Sequence, residues 1–351
     1  MKPDKPYFIA ETAFHHEGDV VFLKQLIDAS AANGFSAIKF HILIDLDNYF
    51  IQAHQAYNDL KKWLISKEDW KHVIAYAHSK RLDIILLCND PAAMDLAIEL
   101  NSMVKAVELH ATGLNDYFLL EKSIHFKGTV ILGVGGSTLD EIQESILFLK
   151  NGNQSDIFLM YGFQNYPTQY EDINFSKMVK LAEMFELPVG YADHTEPKNE
   201  FNEIISALPI MHGILVLEKH FTTEEDSKRI DHQSAILPHQ FKRLKDLAEM
   251  MFIANGTGSL DMSASEKKYG NTGPMKKAIV AAKDIAAGET VELHHLTFKR
   301  TNSSSPLKQT QFLSLIGLKA SRDIKRDDII DFSNIAYEFK TADFSQFKLK
   351  K

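Results

Sequence analysis

The chain has 351 residues, 45% of them hydrophobic and 25% charged, a globular composition that excludes a disordered or fibrous protein. Its apolar runs are shorter than the roughly 20 residues that cross a bilayer, and its N-terminus lacks a signal-peptide pattern. A single cysteine, Cys88, excludes an internal disulfide, so we expect a protein of the reducing cytoplasm that does not associate with membranes.

The net charge is −8, from 39 Lys+Arg against 47 Asp+Glu, and no long basic run occurs. Nonspecific nucleic-acid binding depends on neutralising phosphates, so we expect no nucleic-acid partner. A small anionic substrate would need locally placed cations or backbone amides to bind against this field.

Eight runs rich in aliphatic and β-branched residues recur along the first part of the chain, each followed by an amphipathic segment. They lie at residues 7–11, 36–41, 82–88, 104–109, 129–134, 156–161, 187–191 and 214–219. Most are apolar at consecutive positions, which is typical of parallel strands covered by helices on one face and by a packed interior on the other.

The intervening segments have helical patterns. Residues 20–33 end at an Asn-Gly pair, and residues 137–150 open with a capping-box pattern from Thr138 to Glu141. Further predicted helices lie at 69–80, 91–101, 174–185 and 238–253. Eight strands with following helices predict an α/β fold, a closed (β/α)8 TIM barrel, and the alternative is an open doubly wound sheet.

The composition changes near residue 255. Residues 255–273 are rich in Gly, Ser and Thr, short β-type runs follow at 278–282, 298–300 and 329–330, and the motif at 283–289 is echoed at 322–328. We therefore predict a barrel domain over 1–254, a linker over 255–273, a small pseudo-symmetric β-rich domain over 274–340 and a polar tail over 341–351.

Barrel enzymes carry their chemistry at the C-terminal ends of the strands. His194 and His220 follow adjacent predicted strands, so their imidazoles can meet at one divalent cation such as Mn²⁺, with Mg²⁺ or Co²⁺ as alternatives. Glu11, on the strand that closes the barrel, would complete the metal shell or act through a water, and Asp231 would add a carboxylate. The opposing interpretation is that each histidine is an ordinary loop residue.

Two lysines have two open interpretations each. Lys39 ends an apolar strand, where it either contacts a substrate phosphate or carboxylate or forms an internal ion pair with Glu11 or Glu218. For Lys219, in the eighth strand, a substrate contact and a structural role stand equally.

A glycine-rich turn and an aromatic motif complete the candidate set. The turn at 133–138 contains Gly135 and Gly136, and its amides would hold a phosphate, or the turn simply requires glycine. Tyr166, in a Tyr-Pro-Thr motif, would form the floor of a sugar site or belong to the core.

These motifs resemble those of the sialic acid synthase (N-acetylneuraminate synthase) family, and the likeness runs nearly the full chain. The strongest matches are GYADHT at 190–195 against the family's GYSDHT, EKHFT at 218–222, and DHQS at 231–234 against DHxxS. Weaker matches lie at 9–18, 38–40, 138–142 and 165–168, and residues 279–300 resemble the family's antifreeze-like (SAF) domain.

The resemblance implies a TIM barrel and a SAF domain in a domain-swapped homodimer. It also implies a reaction in which phosphoenolpyruvate condenses with an N-acylated amino sugar and phosphate is released. His194 and His220 would bind manganese to polarise the sugar aldehyde, Glu11 would position reacting groups or move a proton, and Lys39 would contact phosphoenolpyruvate.

The remaining roles concern the substrates. Asp231 would hold sugar hydroxyls, and Arg300 of the partner subunit would meet the acyl group. The positions expected to bind substrate are Lys219, Gly135, Gly136, Tyr166, Asp193 and Arg300.

Several positions depart from the family pattern, and most belong to the phosphoenolpyruvate side. Glu108 and Ala111 stand where the family has a lysine and a serine, Gly133 begins the stretch that replaces S-T-G-M, and Ala192 replaces a serine. A desolvated carboxylate at the lysine position would repel a phosphate by several kcal/mol.

Three hypotheses follow. The first is a phosphoenolpyruvate-dependent synthase with rearranged phosphate contacts. The second is a metal-dependent aldolase or epimerase that acts on a related sugar without phosphoenolpyruvate. The third is a non-catalytic sugar-binding protein, against which the presence of Glu11, His194, His220 and Asp231 argues.

Overall fold

The computed structural model describes residues 1–162, 165, 167–225, 228–270 and 272–337. It divides into two compact units, Met1–Thr257 and Gly258–Lys351. The predicted tail at 341–351 lies outside the described residues. Within the described part of the chain, no helix has both the length and the apolar character that a membrane span requires.

The first unit is a closed barrel of eight parallel strands, as predicted. The strands are β1 Tyr7–Glu11, β2 Ala37–Ile42, β3 Asp83–Cys88, β4 Ala106–Leu109, β5 Thr129–Gly133, β6 Ile157–Tyr161, β7 Val189–Asp193 and β8 Val216–His220. Because β1 pairs with both β2 and β8, the sheet is closed, and the open doubly wound alternative is wrong. The strand predicted at 187–191 begins and ends two residues later; Pro188 has no N–H to donate to a ladder.

Helices surround the barrel. They are α1 Val20–Asn33, α2 Tyr57–Trp63, α3 Lys67–Ser79, α4 Pro91–Glu99, α5 Tyr117–Ser123, α6 Leu139–Asn151, α7 Tyr170–Ile173, α8 Phe175–Phe185, α9 Asn202–Ala207 and α10 Pro238–Asn255. Side-chain caps fix several starts: Asp19 accepts from Phe22 N at α1, and Asp90 accepts from Ala92 N at α4. Gly34, at a φ of 78°, ends α1 in the left-handed region that favours glycine.

The barrel interior is filled in layers. Ile9, Ala37, Ala106 and Val216 belong to a buried apolar layer inside the sheet. Side chains two residues further along a strand face the same way, so the next layer consists of Glu11, Lys39, Glu108 and Glu218. The fold thereby stacks a charged layer on an apolar one, towards the C-terminal ends of the strands.

The second unit has its own apolar core, which includes Ile279, Val291 and Ile330. Its strands are β9 Ala278–Ala281, β10 Leu296–Lys299, β11 Lys319–Ala320 and β12 Ile335–Ala336, paired antiparallel as β9–β10 and β11–β12.

The two echoed motifs of the second unit lie side by side and exchange equivalent hydrogen bonds. Asp284 accepts from Arg326 N, and Asp323 accepts from Ala287 N, each over 2.8 Å. The sequence repeat is therefore a local pseudo-twofold symmetry.

Candidate active site

A cavity of 450 Å³ opens at the C-terminal ends of the barrel strands, and we call it the barrel-mouth cavity. The charged, imidazole and amide side chains that line it are Glu11, Lys39, His41, Asp59, Asn89, Glu108, His110, His194, Glu218, His220 and Asp231. Alternate residues of a strand face the barrel interior. The charged layer of Glu11, Lys39, Glu108 and Glu218 therefore lies together at the cavity floor, although its members come from four different strands.

A larger cleft, of 740 Å³, lies on the loops after β7 and β8. Its described lining mixes lysine and arginine with several glutamates and includes none of the predicted site residues. The barrel-mouth cavity is therefore the candidate active site.

His194 and His220 lie next to each other in this cavity. His194 directly follows β7, His220 is the last residue of β8, and their ring centroids are 5.0 Å apart with planes inclined by 59°. Burial lowers the pKa of His194 to about 4. Burial, and next the neighbouring His194, lowers the pKa of His220 well below its usual range. Both rings are thus neutral at pH 7, the form that coordinates a metal.

The geometry of this pair fits a shared cation. Two ring nitrogens at about 2.1 Å from one ion place the ring centroids roughly 5 Å apart, close to the 5.0 Å observed. Among the residues that the structure describes, no set of three or more His, Cys, Asp or Glu side chains forms a metal site. A cation held by these two imidazoles would have further coordination positions open to water or substrate, as catalytic metal sites have.

Lys39 lies at the centre of three glutamates. Its Nζ is 2.6 Å from Glu11 Oε2, 2.6 Å from Glu218 Oε1 and 3.1 Å from Glu108 Oε2, and all four side chains are buried. The internal ion pair expected as one interpretation of Lys39 is present, and it includes Glu108, which sequence reasoning did not pair with it. We call these four residues the Lys39 cluster.

The charges of the Lys39 cluster do not balance, because three carboxylates surround one ammonium. Burial raises the pKa of Glu108 to about 7, with Lys39 opposing this effect and Glu218 adding to it. Burial alone would lower the pKa of Lys39, but the Glu108 and Glu218 carboxylates raise it. The ammonium therefore stays charged, and Glu108 holds a proton over part of the neutral pH range.

Glu11 has little freedom to act as a metal ligand. Its Oε1 accepts from Ala13 N over 2.8 Å and lies 3.3 Å from His41 Nε2, while its Oε2 contacts Lys39. Two roles were expected for Glu11, metal coordination and the positioning of groups or movement of a proton. These contacts favour testing the second.

Asp231 lies at the cavity edge in the left-handed region, with a φ of 65°. Such a backbone is strained for a non-glycine residue, and strain of this kind concentrates at functional sites. Burial raises the pKa of Asp231 to about 6, against an opposing effect of His232. The Asp231 carboxyl is thus placed to meet a ligand in the cavity.

Asp193 and Lys219, both expected at the substrate, are not in the cavity lining. Their side chains form a buried ion pair on the outer face of the barrel sheet, with Lys219 Nζ 2.5 Å from Asp193 Oδ2. Of the two interpretations of Lys219, the contacts observed are those of the structural role, an ion pair with Asp193.

Of the remaining predicted site residues, only some line the barrel-mouth cavity. Gly135 lines the cavity, whereas Gly136, at a φ of 80°, lies in the turn outside the lining. Tyr166 lies outside the described residues. Arg300 is exposed in the second unit, where its Nη2 is 3.3 Å from Met275 Sδ.

Gly133 has no space for a side chain. A Cβ at this position would come within 2.9 Å of the Ala111 backbone nitrogen. The serine that the family pattern places in this stretch has no equivalent at this point of the cavity wall.

Sequence reasoning missed an aromatic wall. Phe14, Tyr49, Phe50 and Trp63 line one side of the cavity, and most come from the long segment between β2 and α3. Aromatic faces of this kind cover the apolar faces of sugars and exclude water. The unusual length and aromatic content of that segment were the available signal.

Two residues that line the cavity each have a buried polar atom without a hydrogen-bond partner in the described part of the chain. These atoms are Asn89 Nδ2, a donor, and Glu218 Oε2, an acceptor. Buried polar groups normally have a partner, so these two atoms are candidates for a hydrogen bond to a bound ligand or water.

Comparison with known proteins identifies both parts of the chain. The NeuB family model matches residues 26–259, and the SAF domain model matches residues 276–336. An uncharacterised protein of Methanocaldococcus jannaschii is 30% identical over 95% of this chain and 96% of its own length. The N,N'-diacetyllegionaminic acid synthase of Campylobacter jejuni is 29% identical over 93% of this chain and 99% of its own length.

The fold agrees with a solved structure. The N-acetylneuraminic acid synthetase of Leptospira borgpetersenii superimposes with a TM-score of 0.68 at 24% identity, over 76% of this chain and 90% of that protein. At this identity, the likeness supports the fold alone.

Proposed function

The chain belongs to the NeuB family of sialic acid synthases, and from this premise we propose that it condenses phosphoenolpyruvate with an N-acylated amino sugar. The product would be a nonulosonic acid. In this reaction C3 of phosphoenolpyruvate attacks the sugar aldehyde, water attacks C2 and phosphate leaves. The observation that carries the proposal is the pair of neutral imidazoles, with ring centroids 5.0 Å apart, in a cavity that also contains Glu11, Lys39 and Asp231.

His194 and His220 would hold a divalent cation, Mn²⁺ in the first instance. When bound, such an ion polarises a carbonyl oxygen as a Lewis acid. The chain's own residues supply the rest. Asp231 would accept hydrogen bonds from sugar hydroxyls, and the aromatic wall would exclude water from the sugar face.

Glu11 would position reacting groups or move a proton. Its carboxylate is held by Ala13 N and Lys39, and it lies beside His41, so its position is set. The contact between Glu11 and His41 offers a path by which a proton could pass between the two side chains.

The second candidate keeps the metal and the sugar but not phosphoenolpyruvate: a metal-dependent aldolase or epimerase. Lys39 favours it, because this is the only Lys or Arg side chain in the described lining of the cavity and three carboxylates already surround it. A phosphate at this point would meet a net negative surface.

One assay separates the two candidates. The Mn²⁺-loaded protein is supplied with phosphoenolpyruvate and a panel of 2-acylamino sugars, and both phosphate release and a 2-keto-acid product are measured. Release that requires both sugar and metal supports the synthase. Metal-dependent conversion of a sugar without phosphate release supports the second candidate. No turnover with any sugar would contradict both.

We also propose the domain-swapped homodimer of the family, with Arg300 of the partner subunit at the acyl group. Mixing inactive Arg300→Ala and His194→Ala subunits tests it. In a swapped dimer, one site of each mixed pair has both native residues, so activity returns on mixing. Without a swap, the mixture stays inactive.

A further inference from the structure

A buried ion pair lies directly behind the two histidines. Asp193, the last residue of β7, is the register partner of Lys219 in β8. The preceding register pair, Ala192 and Glu218, lines the barrel-mouth cavity, so strand alternation directs Asp193 and Lys219 to the opposite face of the sheet. Their side chains are 2% and 3% exposed, which places the pair in the barrel wall rather than in the site.

This pair is bonded to the backbone on the far side of His194. Thr195 N donates to Asp193 Oδ1 over 2.8 Å, and the Ser206 hydroxyl, from α9, donates to Asp193 Oδ2. Lys219 Nζ donates to the Thr195 carbonyl over 3.2 Å. Asp193 and Thr195, the residues immediately before and after His194, therefore both accept hydrogen bonds from the Lys219 ammonium of β8.

The backbone ladder does not hold His194 by itself. The β7–β8 register ends at Asp193 and Lys219, so His194 lies one residue beyond the last ladder pair. Its carbonyl accepts from Thr168 N over 3.0 Å and from the Ser234 hydroxyl over 3.3 Å, but neither bond joins it to β8. Besides the contact of the two rings, the buried ion pair connects the segment around His194 to the strand of His220.

We propose that Asp193 and Lys219 are positioning residues that set the separation of His194 and His220 for one divalent cation. The inference rests on the proposed function, since it takes the metal at this histidine pair as its premise. It gives both residues a role other than the substrate contact expected from the sequence. Loss of partners that orient metal ligands lowers metal affinity by about 10–100-fold, and we expect a loss of that size here.

The test compares Mn²⁺ affinity among variants of the full chain, by titrating metal-free protein and following free Mn²⁺ by electron paramagnetic resonance. The double variant Asp193→Asn/Lys219→Met removes both charges together and so leaves no unpaired buried charge. Lys219→Arg keeps the charge. Ser206→Ala is a milder variant, which removes one bond to Asp193 and keeps the proposal testable if the double variant does not fold.

The control is Gln154→Ala. Gln154 is buried in the loop before β6, at the other end of the strands, where it donates to the Phe126 and Gly128 carbonyls. We expect its substitution to lower the thermal midpoint without altering the site, so this variant separates a general loss of stability from a change in metal binding.

The expected result is a 10–100-fold weaker Mn²⁺ affinity in the double variant, a several-fold loss in Ser206→Ala, partial retention in Lys219→Arg and none of these effects in Gln154→Ala. Wild-type affinity in the double variant, or in Ser206→Ala if only that variant folds, would overturn the inference alone. Absence of Mn²⁺ binding in the unaltered protein would overturn the metal assignment and this inference together.

Discussion

The two sides of the barrel mouth differ in what their polar groups already contact. On the β7–β8 side, which we call the metal side, two neutral imidazoles lie at a separation that suits one cation. Around Lys39 of β2, which we call the donor side because it would receive phosphoenolpyruvate, the ammonium contacts glutamates of β1, β4 and β8. The comparison shows that the presence of an expected residue at a site does not establish its role. The side chain's contacts decide whether it is available to a ligand.

The largest effect that tests this comparison is expected on the metal side. His194→Ala or His220→Ala removes half of the imidazole pair, so we expect Mn²⁺ binding and turnover to fall by at least about 100-fold. The matched control is His212→Ala, an exposed histidine before β8 at the opposite end of the barrel. Near-normal Mn²⁺ affinity in either site variant would refute the metal assignment.

The next effect concerns the stability of the donor side. Lys39→Met leaves three buried carboxylates without their cation, and breaking a buried pair in this way costs about 3–5 kcal/mol. Glu108→Gln instead removes one excess negative charge. The free energy of unfolding of this variant should therefore be close to that of the unaltered protein or higher. Urea unfolding of both variants measures this contrast. A change of less than about 1 kcal/mol in Lys39→Met would mean that the ammonium does not hold this cluster together.

The two sides also differ in how far the sequence predicted them. Adjacent strand ends were enough to bring His194 and His220 together, because parallel neighbours in a barrel end at the same face. The contact between Lys39 and Glu108 depends on a register that passes through β3, where Lys39 pairs with Ile85 and Leu87 pairs with Glu108. A sequence does not state such a register.

Lys219 shows a second limit. Strands buried on both faces are apolar at almost every position, so the alternation that tells inward from outward is weak. Its direction was left open, and the structure places it outward, against Asp193. The aromatic wall was missed for another reason: the aromatic content of the segment after β2 is visible in the sequence, but the conformation of a loop follows no period that would place those side chains at the cavity.

A smaller effect is expected in the pH dependence of stability. The pKa of Glu108 is raised to about 7 in the folded protein from 4.5. The folded state therefore binds more protons than the unfolded state between these values, and stability falls as pH rises through that window. Relative to Glu108→Gln, the metal-free protein should lose on the order of 2 kcal/mol between about pH 5 and 8. Parallel pH profiles from urea unfolding would contradict a protonated Glu108.

The smallest expected effect is the one that would make the two sides alike. Glu108→Lys gives the Lys39 cluster two ammonium groups against two carboxylates, so the repulsion of a phosphate is removed and a second donor is added. We expect phosphoenolpyruvate and inorganic phosphate to bind about tenfold more tightly, or about 1.4 kcal/mol, measured by calorimetry without sugar. Glu108→Gln separates the removal of the negative charge from the addition of the positive one and should give part of the gain. Unchanged or weaker binding in Glu108→Lys would place the phosphate away from this cluster and leave the Lys39 cluster without a role in recognising phosphoenolpyruvate.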